Sequence, residues 1–439
     1  MHYLQKFPKH NEVVSVSSGD ETMSWRRSSK TLVLLSAVST TCLLLLLVQV
    51  NEIRPPYEVG PTGAVGANWR MLSAQEINNL SVLGRRLFLG EDTGSIQSDK
   101  NFTILVLKHG PSLEPRLIFH YTKIRHSPFE DCSASNCRLT YDQSHLSEAD
   151  AVLVHLQRTA GFGSLPQKGR RPSQRWVFLT DESPHHTFSL PGNRLADYDG
   201  LFNWSMSYRM DADVPVPYGR AVPLSLLERL QAAGEEEEVD HHARNPKMAA
   251  IMISDCGGAN GRMAYLKELG KHLPLDTYGA CGTLKCEGHF RQDCAKLRGY
   301  KFYLAFENSN CREYSTEKVW WNAYHKGSVP VVMGASREDC RRLLPPGSYV
   351  HVDDFPSPRA LALHLLQLSE DPARYNALFA WRRAFRVLNE HGYFQSPVHH
   401  YCRLCEALNY NDPRPKTYRR MEDFMSVRRD CRKGFSTQH

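Results

Sequence analysis

Apolar residues along the chain fall into short continuous runs of strand length rather than into an alternating pattern. Runs of this kind are typical of parallel strands that are buried on both faces of a sheet. They form two series along the chain, at residues 102–107, 151–156 and 176–180, then at residues 249–254, 302–306 and 329–333. Because the runs are separated by segments long enough for crossover helices, the pattern predicts an α/β protein.

An acidic run at residues 234–242 separates the two series. The second series opens with a strand, a Gly-rich turn at residues 255–261 and a helix that starts near Arg262, and residues 361–368 and 373–388 also predict helices. Two successive α/β units predict two facing Rossmann-like domains with a cleft between them. The predicted parts are an N-terminal domain at 101–232, a linker at 233–247, a C-terminal domain at 248–400 and a tail at 401–439.

One segment has the length and composition to span a bilayer. Residues 31–50 carry no charge over 20 positions, and 20 helical residues match a hydrocarbon core of about 30 Å. Arg26, Arg27 and Lys30 precede the segment, so the positive-inside rule places residues 1–30 in the cytoplasm and the rest in a lumen. A cleaved signal peptide is the alternative, although no small-residue cleavage site follows. The polar residues 51–100 predict a stem, with some helix near residues 74–88.

Composition narrows the classes of protein further. The chain has 439 residues, of which 41% are hydrophobic and 23% charged, and these values exclude wholesale disorder and collagen. The net charge of +7 is mild and scattered, so it gives no reason to expect nucleic acid as a partner. An anionic small substrate fits that charge equally well.

The cysteines and glycosylation signals agree with a lumenal position. Eleven of the 12 cysteines lie outside the apolar segment, where disulfides are expected, and an odd number leaves one thiol free or paired between chains. Cys402 and Cys405 would also suit half of a zinc site, but no second pair has zinc-ribbon spacing. Three Asn-x-Ser/Thr sequences are candidate glycosylation sites, at Asn79, Asn101 and Asn203.

The group of polar residues that most clearly indicates a ligand site lies at residues 301–309 and 314–320. A strand delivers Glu307 and Asn308 to its carboxyl end, where ligands bind in open α/β sheets. Ser315 or Thr316 can cap the next helix, whose free N–H groups would attract an anion.

Tyr314 and Lys318 are four residues apart and share a face of that helix, so the segment predicts an anion site with a lysine and an aromatic ring. A capped core helix with Glu317 and Lys318 in solvent is the alternative.

Three further segments contain residues that could bind a ligand or take part in catalysis, and each of them could instead have a purely structural role. The backbone of the Gly-rich turn before Arg262 could approach a phosphate closely, and the guanidinium of Arg262 could bind that phosphate. The turn does not have the Gly-x-Gly-x-x-Gly pattern of dinucleotide-binding proteins. Glu182 follows the strand at residues 176–180, and its carboxylate could act as a general base at the end of that strand. Alternatively, the segment is a turn without a catalytic role. Asp211 and Asp213 form an Asp-x-Asp pair that could hold a metal or lie in a loop before Pro215.

Taken together, these segments resemble the α-1,3-fucosyltransferases of glycosyltransferase family 10, especially the invertebrate members. The likeness covers roughly residues 100–410. It is carried by residues 202–209, 217–219 and 278–282, and most strongly by residues 301–309, 314–318 and 329–334. The resemblance implies a GT-B fold, in which two facing Rossmann-like domains follow a single transmembrane helix and a stem.

The resemblance also implies a site. The positions that match the family's donor site are Arg262, Asn308, Tyr314, Glu317 and Lys318. Glu182 matches the general base, and Glu317 would also hold the fucose. The family's Asp-x-Asp-like segment is not a metal site, so no metal cofactor is expected, although a divalent cation could stimulate turnover. Here Asp255 stands where the family usually has Asn, and its carboxylate would repel a pyrophosphate unless it turns away.

The function that follows is that of a Golgi membrane enzyme of type II topology with a lumenal catalytic domain. Its expected partners are GDP-fucose and a glycan acceptor on glycoproteins, and it would move L-fucose to a GlcNAc hydroxyl by inverting single displacement. Two alternatives remain: a glycosyltransferase of another nucleotide-sugar specificity, and a catalytically silent Golgi glycan-binding homologue. The acceptor, either the innermost GlcNAc of an N-glycan or an outer-arm GlcNAc, stays open at this stage, as do the disulfide connectivity and the oligomeric state.

Overall fold

The structure is a computed structural model that describes residues 66–435, apart from residues 67, 93, 95–98, 108–127, 130–131, 167, 189–190, 237–238 and 288–291. The predicted cytoplasmic tail at 1–30 and transmembrane segment at 31–50 lie outside the described residues. Within the described part, no helix combines the length and the apolar character that crossing a membrane requires. All described residues belong to one compact unit.

The N-terminal half is built on a six-stranded parallel sheet. Its strands follow one another in the order β2-β1-β3-β4-β5-β6. They are β1 (Phe102–Leu107), β2 (Cys137–Thr140), β3 (Ala151–His155), β4 (Arg175–Thr180), β5 (Trp204–Ser207) and β6 (Val214–Pro215). Alternate residues of β4 enter different cores: Val177 packs on one face of the sheet and Phe178 on the other. This two-sided burial explains why the strand sequences are apolar without alternation.

The C-terminal half is built on a five-stranded parallel sheet. Its strands follow one another in the order β13-β12-β10-β8-β9. They are β8 (Lys247–Met252), β9 (Leu275–Tyr278), β10 (Tyr300–Phe306), β12 (Val329–Met333) and β13 (Val350–His351), and a short strand β11 (Asn310–Cys311) lies outside this sheet. Every residue of the central strand β10 is buried, so the loop that follows it starts from a rigid position.

Two antiparallel strand pairs join segments that are distant in sequence. Strand β7 (Gly219–Pro223) pairs with β14 (Phe385–Asn389), and β11 pairs with β15 (Cys431–Arg432). Helices lie between and after the strands: α1 (Ala74–Asn79), α2 (Val82–Leu89), α3 (Leu226–Glu236), α4 (His241–Arg244), α5 (Arg262–Leu269), α6 (Glu317–Val319), α7 (Arg337–Leu343), α8 (Pro358–Glu370), α9 (Pro372–Ala377), α10 (His400–Tyr410) and α11 (Val427–Asp430). A π-helical turn, Trp320–His325, continues α6.

The strand predictions are confirmed, and two of them, β1 and β12, have the predicted bounds. The helix predicted at residues 373–388 is wrong in its second half. The helix α9 ends at Ala377, and the chain then forms β14. Pairing with β7 along five residues supplies backbone hydrogen bonds that a local pattern does not reveal.

Part of the predicted stem is packed into the protein. Trp69, Leu80 and Phe88 are each at most 6% exposed and belong to the same apolar cluster as Tyr218. Helices α1 and α2 are therefore part of the globular body, and a stem could end no later than about residue 68. Residues 51–100 are polar on average, and for that reason their composition predicted a stem although a few of their apolar side chains are buried.

The predicted C-terminal tail is also part of the globular body. Disulfides Cys132–Cys402 and Cys137–Cys405 fasten α10 to the N-terminal sheet, and Cys311–Cys431 fastens β15 to the C-terminal half. Two more disulfides, Cys256–Cys281 and Cys286–Cys294, lie within the C-terminal half. Among the described cysteines, Cys340 is the free one, and it is buried. Residues 400–432 thus hold the two halves together.

Candidate active site

The carboxylate of Glu182 lies where the two halves of the protein meet. It follows β4, which ends at Thr180, so it stands at the carboxyl end of the N-terminal sheet. The hydroxyl of Tyr314, which follows β11 in the C-terminal half, donates a 2.8 Å hydrogen bond to Oε2 of Glu182. The structure therefore unites two predicted site residues that are 132 positions apart.

Two further contacts cross between the halves at this point. Nδ2 of Asn308 lies 3.5 Å from Oε2 of Glu182. The buried hydroxyl of Ser309 donates a 2.7 Å hydrogen bond to the hydroxyl of Ser183. Both C-terminal residues follow β10, so the carboxyl ends of two buried parallel strands, β4 and β10, face each other across the site.

The surroundings of Glu182 change its acidity. Burial raises the pKa of Glu182 to about 7, and the hydrogen bond from Tyr314 and the charge of Lys318 oppose that shift. A carboxylate with a pKa near neutrality is a stronger base than an ordinary Glu, and about half of such groups are charged at pH 7.

Lys318 presents a positive charge on the C-terminal side of the site. Its Nζ donates to Oε2 of Glu307 and to Oγ1 of Thr316, each at 2.9 Å, and lies 3.5 Å from Oε1 of Glu317. Burial alone would lower the pKa of Lys318, but the charges of Glu307 and Glu317 raise it above its usual value. The ammonium group is therefore fixed in the charged state.

The helix after this segment differs from the prediction. Neither Ser315 nor Thr316 caps it with a side chain. The buried carboxylate of Glu307 instead accepts hydrogen bonds from the backbone N–H and the hydroxyl of Thr316, each at 2.8 Å. The α-helical part, α6, has three residues and passes into the π-helical turn. Glu307 and Lys318 thus define this part of the site, rather than a free helix end.

The Gly-rich turn lies against the same region, and Arg262 makes contacts there that the sequence did not predict. The guanidinium is 3% exposed, and it donates to the carbonyl oxygens of Gly257 and Phe306, each at 3.2 Å. Its Nη2 also lies 3.3 Å from the carboxylate of Asp255, which neutralises the extra negative charge that the sequence placed here. Arg262 therefore fixes the turn to the end of β10 and leaves few donors for a ligand.

The Asp-x-Asp segment does not form a metal site in this structure. Both oxygens of Asp211 accept hydrogen bonds from Arg209, at 2.8 and 2.6 Å. The carboxylate of Asp213 accepts from Lys416 at 2.6 Å and from Tyr418 at 2.7 Å. Cationic and hydroxyl donors occupy both carboxylates, so the two groups are structural.

The three candidate glycosylation sites differ in exposure. Asn79 and Asn101 are exposed, and both remain compatible with a glycan. Asn203 is 7% exposed, and its Nδ2 donates a 2.7 Å hydrogen bond to the carbonyl oxygen of Lys416. The folded chain has no space for a glycan on that nitrogen, so the structure argues against Asn203 as an acceptor.

Several neighbours of the site have partners that the sequence did not predict. Ser183 and Ser309 lie in two of the candidate segments, and they form a buried contact between the halves. His186 lies close enough to Asp255 and Arg262 for their charges to influence its pKa, which burial lowers. Asp181 is surrounded by three histidines from other elements. No local signal marks such residues, because their partners come from other parts of the chain.

The arrangement combines a base and a cation on opposite sides of one site. Glu182, on the N-terminal side, can accept a proton from a hydroxyl. Lys318, on the C-terminal side, can stabilise negative charge on a departing group. These two abilities together suit the transfer of an activated group to a hydroxyl acceptor.

Comparisons with known protein families match most of the chain. The family described as Glycosyltransferase family 10 (fucosyltransferase) C-term matches residues 242–424. The family described as Fucosyltransferase, N-terminal matches residues 103–219. The two matched regions contain the C-terminal and N-terminal sides of the site, respectively.

Individual relatives agree with the family match. Glycoprotein 3-alpha-L-fucosyltransferase A of Drosophila melanogaster is 33% identical over 300 residues, which cover 67% of this chain and 55% of the fly protein. Alpha-(1,3)-fucosyltransferase 7 of Mus musculus is 37% identical over 295 residues, which cover 67% of this chain and 69% of the mouse protein. The enzyme 4-galactosyl-N-acetylglucosaminide 3-alpha-L-fucosyltransferase FUT6 of Homo sapiens is 38% identical over 254 residues, which cover 57% of this chain and 67% of the human protein.

Among solved structures, the crystal structure of an alpha1,3-fucosyltransferase with GDP-fucose superposes on 76% of this chain and 98% of its own length, with 17% sequence identity and a TM-score of 0.43.

Proposed function

Because the chain belongs to the fucosyltransferases of glycosyltransferase family 10, we propose that it transfers L-fucose from GDP-fucose to a GlcNAc hydroxyl of glycoprotein glycans, with inversion. The observation that carries this proposal is the contact of Glu182 with Tyr314 and Asn308, which puts a base beside the matched donor-site residues. It is also supported by the names of the fly and mammalian relatives, which describe fucosyltransferases.

In the proposed reaction, Glu182 accepts the proton of the acceptor hydroxyl as its oxygen attacks the anomeric carbon of fucose. The new bond joins that oxygen to the carbon, and the bond between the carbon and the β-phosphate oxygen breaks. GDP leaves with the electron pair. The proton therefore resides on Glu182 and the negative charge on the diphosphate, which is an inverting single displacement.

Lys318 is the cation that meets the diphosphate in this proposal. Two of its three N–H groups are used by Glu307 and Thr316, and Glu317 lies 3.5 Å away, so a phosphate oxygen would share the remaining N–H with Glu317. Arg262 is a positioning residue that holds the Gly-rich turn against the donor. Tyr314 and Asn308 orient Glu182, and Glu317 holds the fucose and offsets positive charge on the sugar. No divalent ion is required at the diphosphate.

The proposed location is the Golgi membrane, with residues 1–30 in the cytoplasm, 31–50 as the signal-anchor and the catalytic part in the lumen. The five disulfides among the described residues support an oxidising compartment. Protease protection of the full-length chain in sealed microsomes tests this topology. Cleavage of the catalytic part without detergent would contradict it.

The acceptor is one of two GlcNAc classes, the innermost residue of an N-glycan or a galactosylated outer arm. The relatives include both a fly enzyme named for glycoproteins and a human enzyme named for a galactosyl-GlcNAc acceptor. The full-length protein in detergent is offered GDP-fucose, GDP-mannose and UDP-sugars with both acceptors, and the linkage of any product is determined by NMR. An α-1,3-fucosyl product from GDP-fucose is expected. Turnover with another donor alone, or GDP binding without turnover, would contradict the proposal.

A further inference from the structure

A second polar cluster lies directly behind the proposed base. Asp181 precedes Glu182 in the chain, and its carboxylate points to three imidazoles from other elements. Oδ1 lies 3.3 Å from Nε2 of His391 and 3.5 Å from Nε2 of His400, and Oδ2 lies 3.8 Å from Nε2 of His155. All four residues are at most 6% exposed. Burying a carboxylate and three imidazoles together costs free energy unless these groups bind one another or a ligand.

The distances fit ligands around one metal ion, and they are long for direct hydrogen bonds, of which the contact between His400 and Asp181 is at the outer limit. An N–H···O hydrogen bond has an N···O distance of about 2.7–3.2 Å, and all three separations are longer. In a tetrahedral zinc site the ligands lie about 2.0–2.1 Å from the metal, so neighbouring ligand atoms are about 3.3 Å apart. The separations of Asp181 from His391 and His400 match that value, and all three ligand atoms lie within 4.8 Å of one another.

The ligand atoms of Asp181, His391 and His400 favour some metal ions over others. Two imidazole nitrogens and one carboxylate oxygen form a ligand set that zinc uses in proteins, with a water molecule in the fourth position. Mg²⁺ and Ca²⁺ prefer sites made of oxygen ligands, so a histidine-rich set disfavours them. The negative charge of Asp181 offsets part of the charge of a divalent ion in this buried place.

Neighbouring groups hold these ligands in position, as in known metal sites. The ring of His391 stacks on Tyr218 at a centroid distance of 3.8 Å, and the hydroxyl of Tyr218 donates a 2.9 Å hydrogen bond to the carbonyl oxygen of Asp181. His400 begins α10, which disulfides at Cys402 and Cys405 fix to the N-terminal sheet. The ligands therefore do not need a large rearrangement to meet around an ion.

We propose that Asp181, His391 and His400 bind one divalent transition-metal ion, zinc by preference. The ion joins the turn that presents Glu182 to the segment after β14 and to the start of α10. It is separate from the donor diphosphate and takes no part in bond breaking. His155 supports the second oxygen of Asp181. The site thus ties three distant parts of the chain together beside the base.

The test measures metal content directly. Untagged full-length protein is incubated with one equivalent of ZnCl₂, freed of unbound ion by gel filtration, and analysed by inductively coupled plasma mass spectrometry. About one zinc per chain is expected. The double variant His391→Ala/His400→Ala should retain almost none, whereas the control His145→Ala/His272→Ala, which alters two more exposed histidines, should retain the wild-type amount. Asp181→Asn should weaken zinc binding by more than roughly 100-fold, since even outer-shell partners contribute about 10- to 100-fold.

The measurement on the wild-type protein does not depend on activity or on the folding of the variants. Cobalt offered to the wild-type protein should give the visible absorption of a tetrahedral Co²⁺ site, and zinc should displace it. Wild-type protein that takes up neither ion would overturn the proposal and leave a metal-free imidazole–carboxylate cluster. So would zinc that disappears in the exposed-histidine control but persists in Asp181→Asn.

Discussion

The hydroxyl of Tyr314 donates a 2.8 Å hydrogen bond to the carboxylate of Glu182, across the boundary between the two sheets of the protein. The contact fixes the orientation of the proposed base from the donor-binding side. A substitution that shifts Tyr314 in the C-terminal half would therefore be expected to change the orientation of Glu182 in the N-terminal half.

Replacing Glu182 with Gln should lower kcat by roughly 10²–10⁴-fold, because the amide cannot accept the acceptor's proton. The KM for GDP-fucose should change little, since the shape of the side chain is kept. Release of GDP in the presence of acceptor measures the rate. Glu422→Gln, at an exposed position, is the matched control. Full activity in Glu182→Gln would remove this residue from the mechanism.

Tyr314→Phe should lower kcat/KM by about 10- to 100-fold, because a hydrogen bond to a charged group is worth about 1.5–3 kcal/mol. Tyr375→Phe is a suitable control, because it also removes a buried hydroxyl with a 2.8 Å hydrogen bond, here to the carbonyl oxygen of Lys301. The control should lose some stability and keep its activity per folded molecule. Equal losses of activity in both variants would show that general packing, rather than the contact with Glu182, is responsible.

Lys318→Met should lower kcat/KM for GDP-fucose by roughly 10²–10³-fold, since one fixed charge at the leaving group is removed. Steady-state kinetics with varied GDP-fucose measure this, and a thermal melt verifies folding, because the change leaves Glu307 without its cation. Lys271→Met removes an exposed lysine as a control. A variant that kept wild-type kcat/KM would show that the diphosphate binds elsewhere.

A brief EDTA treatment should leave the initial rate unchanged, because in the proposed mechanism Lys318 takes the role that Mg²⁺ or Mn²⁺ plays in metal-dependent glycosyltransferases. An enzyme of that class in the same buffer serves as the positive control. The short exposure removes exchangeable ions, whereas an ion enclosed by Asp181, His391 and His400 would leave slowly. Complete loss of activity that Mn²⁺ restores would contradict a metal-free diphosphate site.

Glu406→Gln should destabilise the protein by about 3 kcal/mol at pH 7, because it breaks a buried ion pair. Glu406 accepts 2.7 Å hydrogen bonds from Arg403 and from the hydroxyl of Ser133, which ties α10 to the N-terminal half. Burial alone would raise the pKa of Glu406, but the charge of Arg403 and the Ser133 hydrogen bonds lower it below its ordinary value of 4.5.

The pH dependence of this effect has a definite sign. A lowered pKa stabilises the folded state above the unfolded value of 4.5, and that stability is lost as the pH falls through the folded pKa. The difference in free energy of unfolding between wild type and Glu406→Gln should therefore shrink below pH 4.5. Urea titrations at several pH values measure it, with Glu422→Gln as control. A difference that stayed constant with pH would show that the charge of Glu406 is not involved.

Local sequence patterns specified the strands and the chemical types of the site residues. The bounds of β1 and β12 were predicted correctly, because a strand buried on both faces requires a continuous apolar run. The family resemblance placed Glu182, Asn308, Tyr314 and Lys318 in one site. In the structure Tyr314 and Asn308 contact Glu182, and Lys318 lies near enough for its charge to lower the pKa of Glu182. Arg262 was identified correctly as a residue of the region, but its role as a ligand for backbone carbonyls was not visible.

The sequence by itself determined two α/β units, an apolar segment near the N-terminus and the carboxyl ends of strands at which chemistry would occur. Only the tertiary structure decided that residues 385–389 form a strand, that residues 400–432 fasten the two halves, and that Asp181 meets three histidines. The physical reason is the range of the interactions. Burial periodicity and turn chemistry act between near neighbours, whereas Tyr314, which contacts Glu182, the disulfide partners of α10 and two of the three histidines around Asp181 lie more than 100 residues away and meet them only after folding.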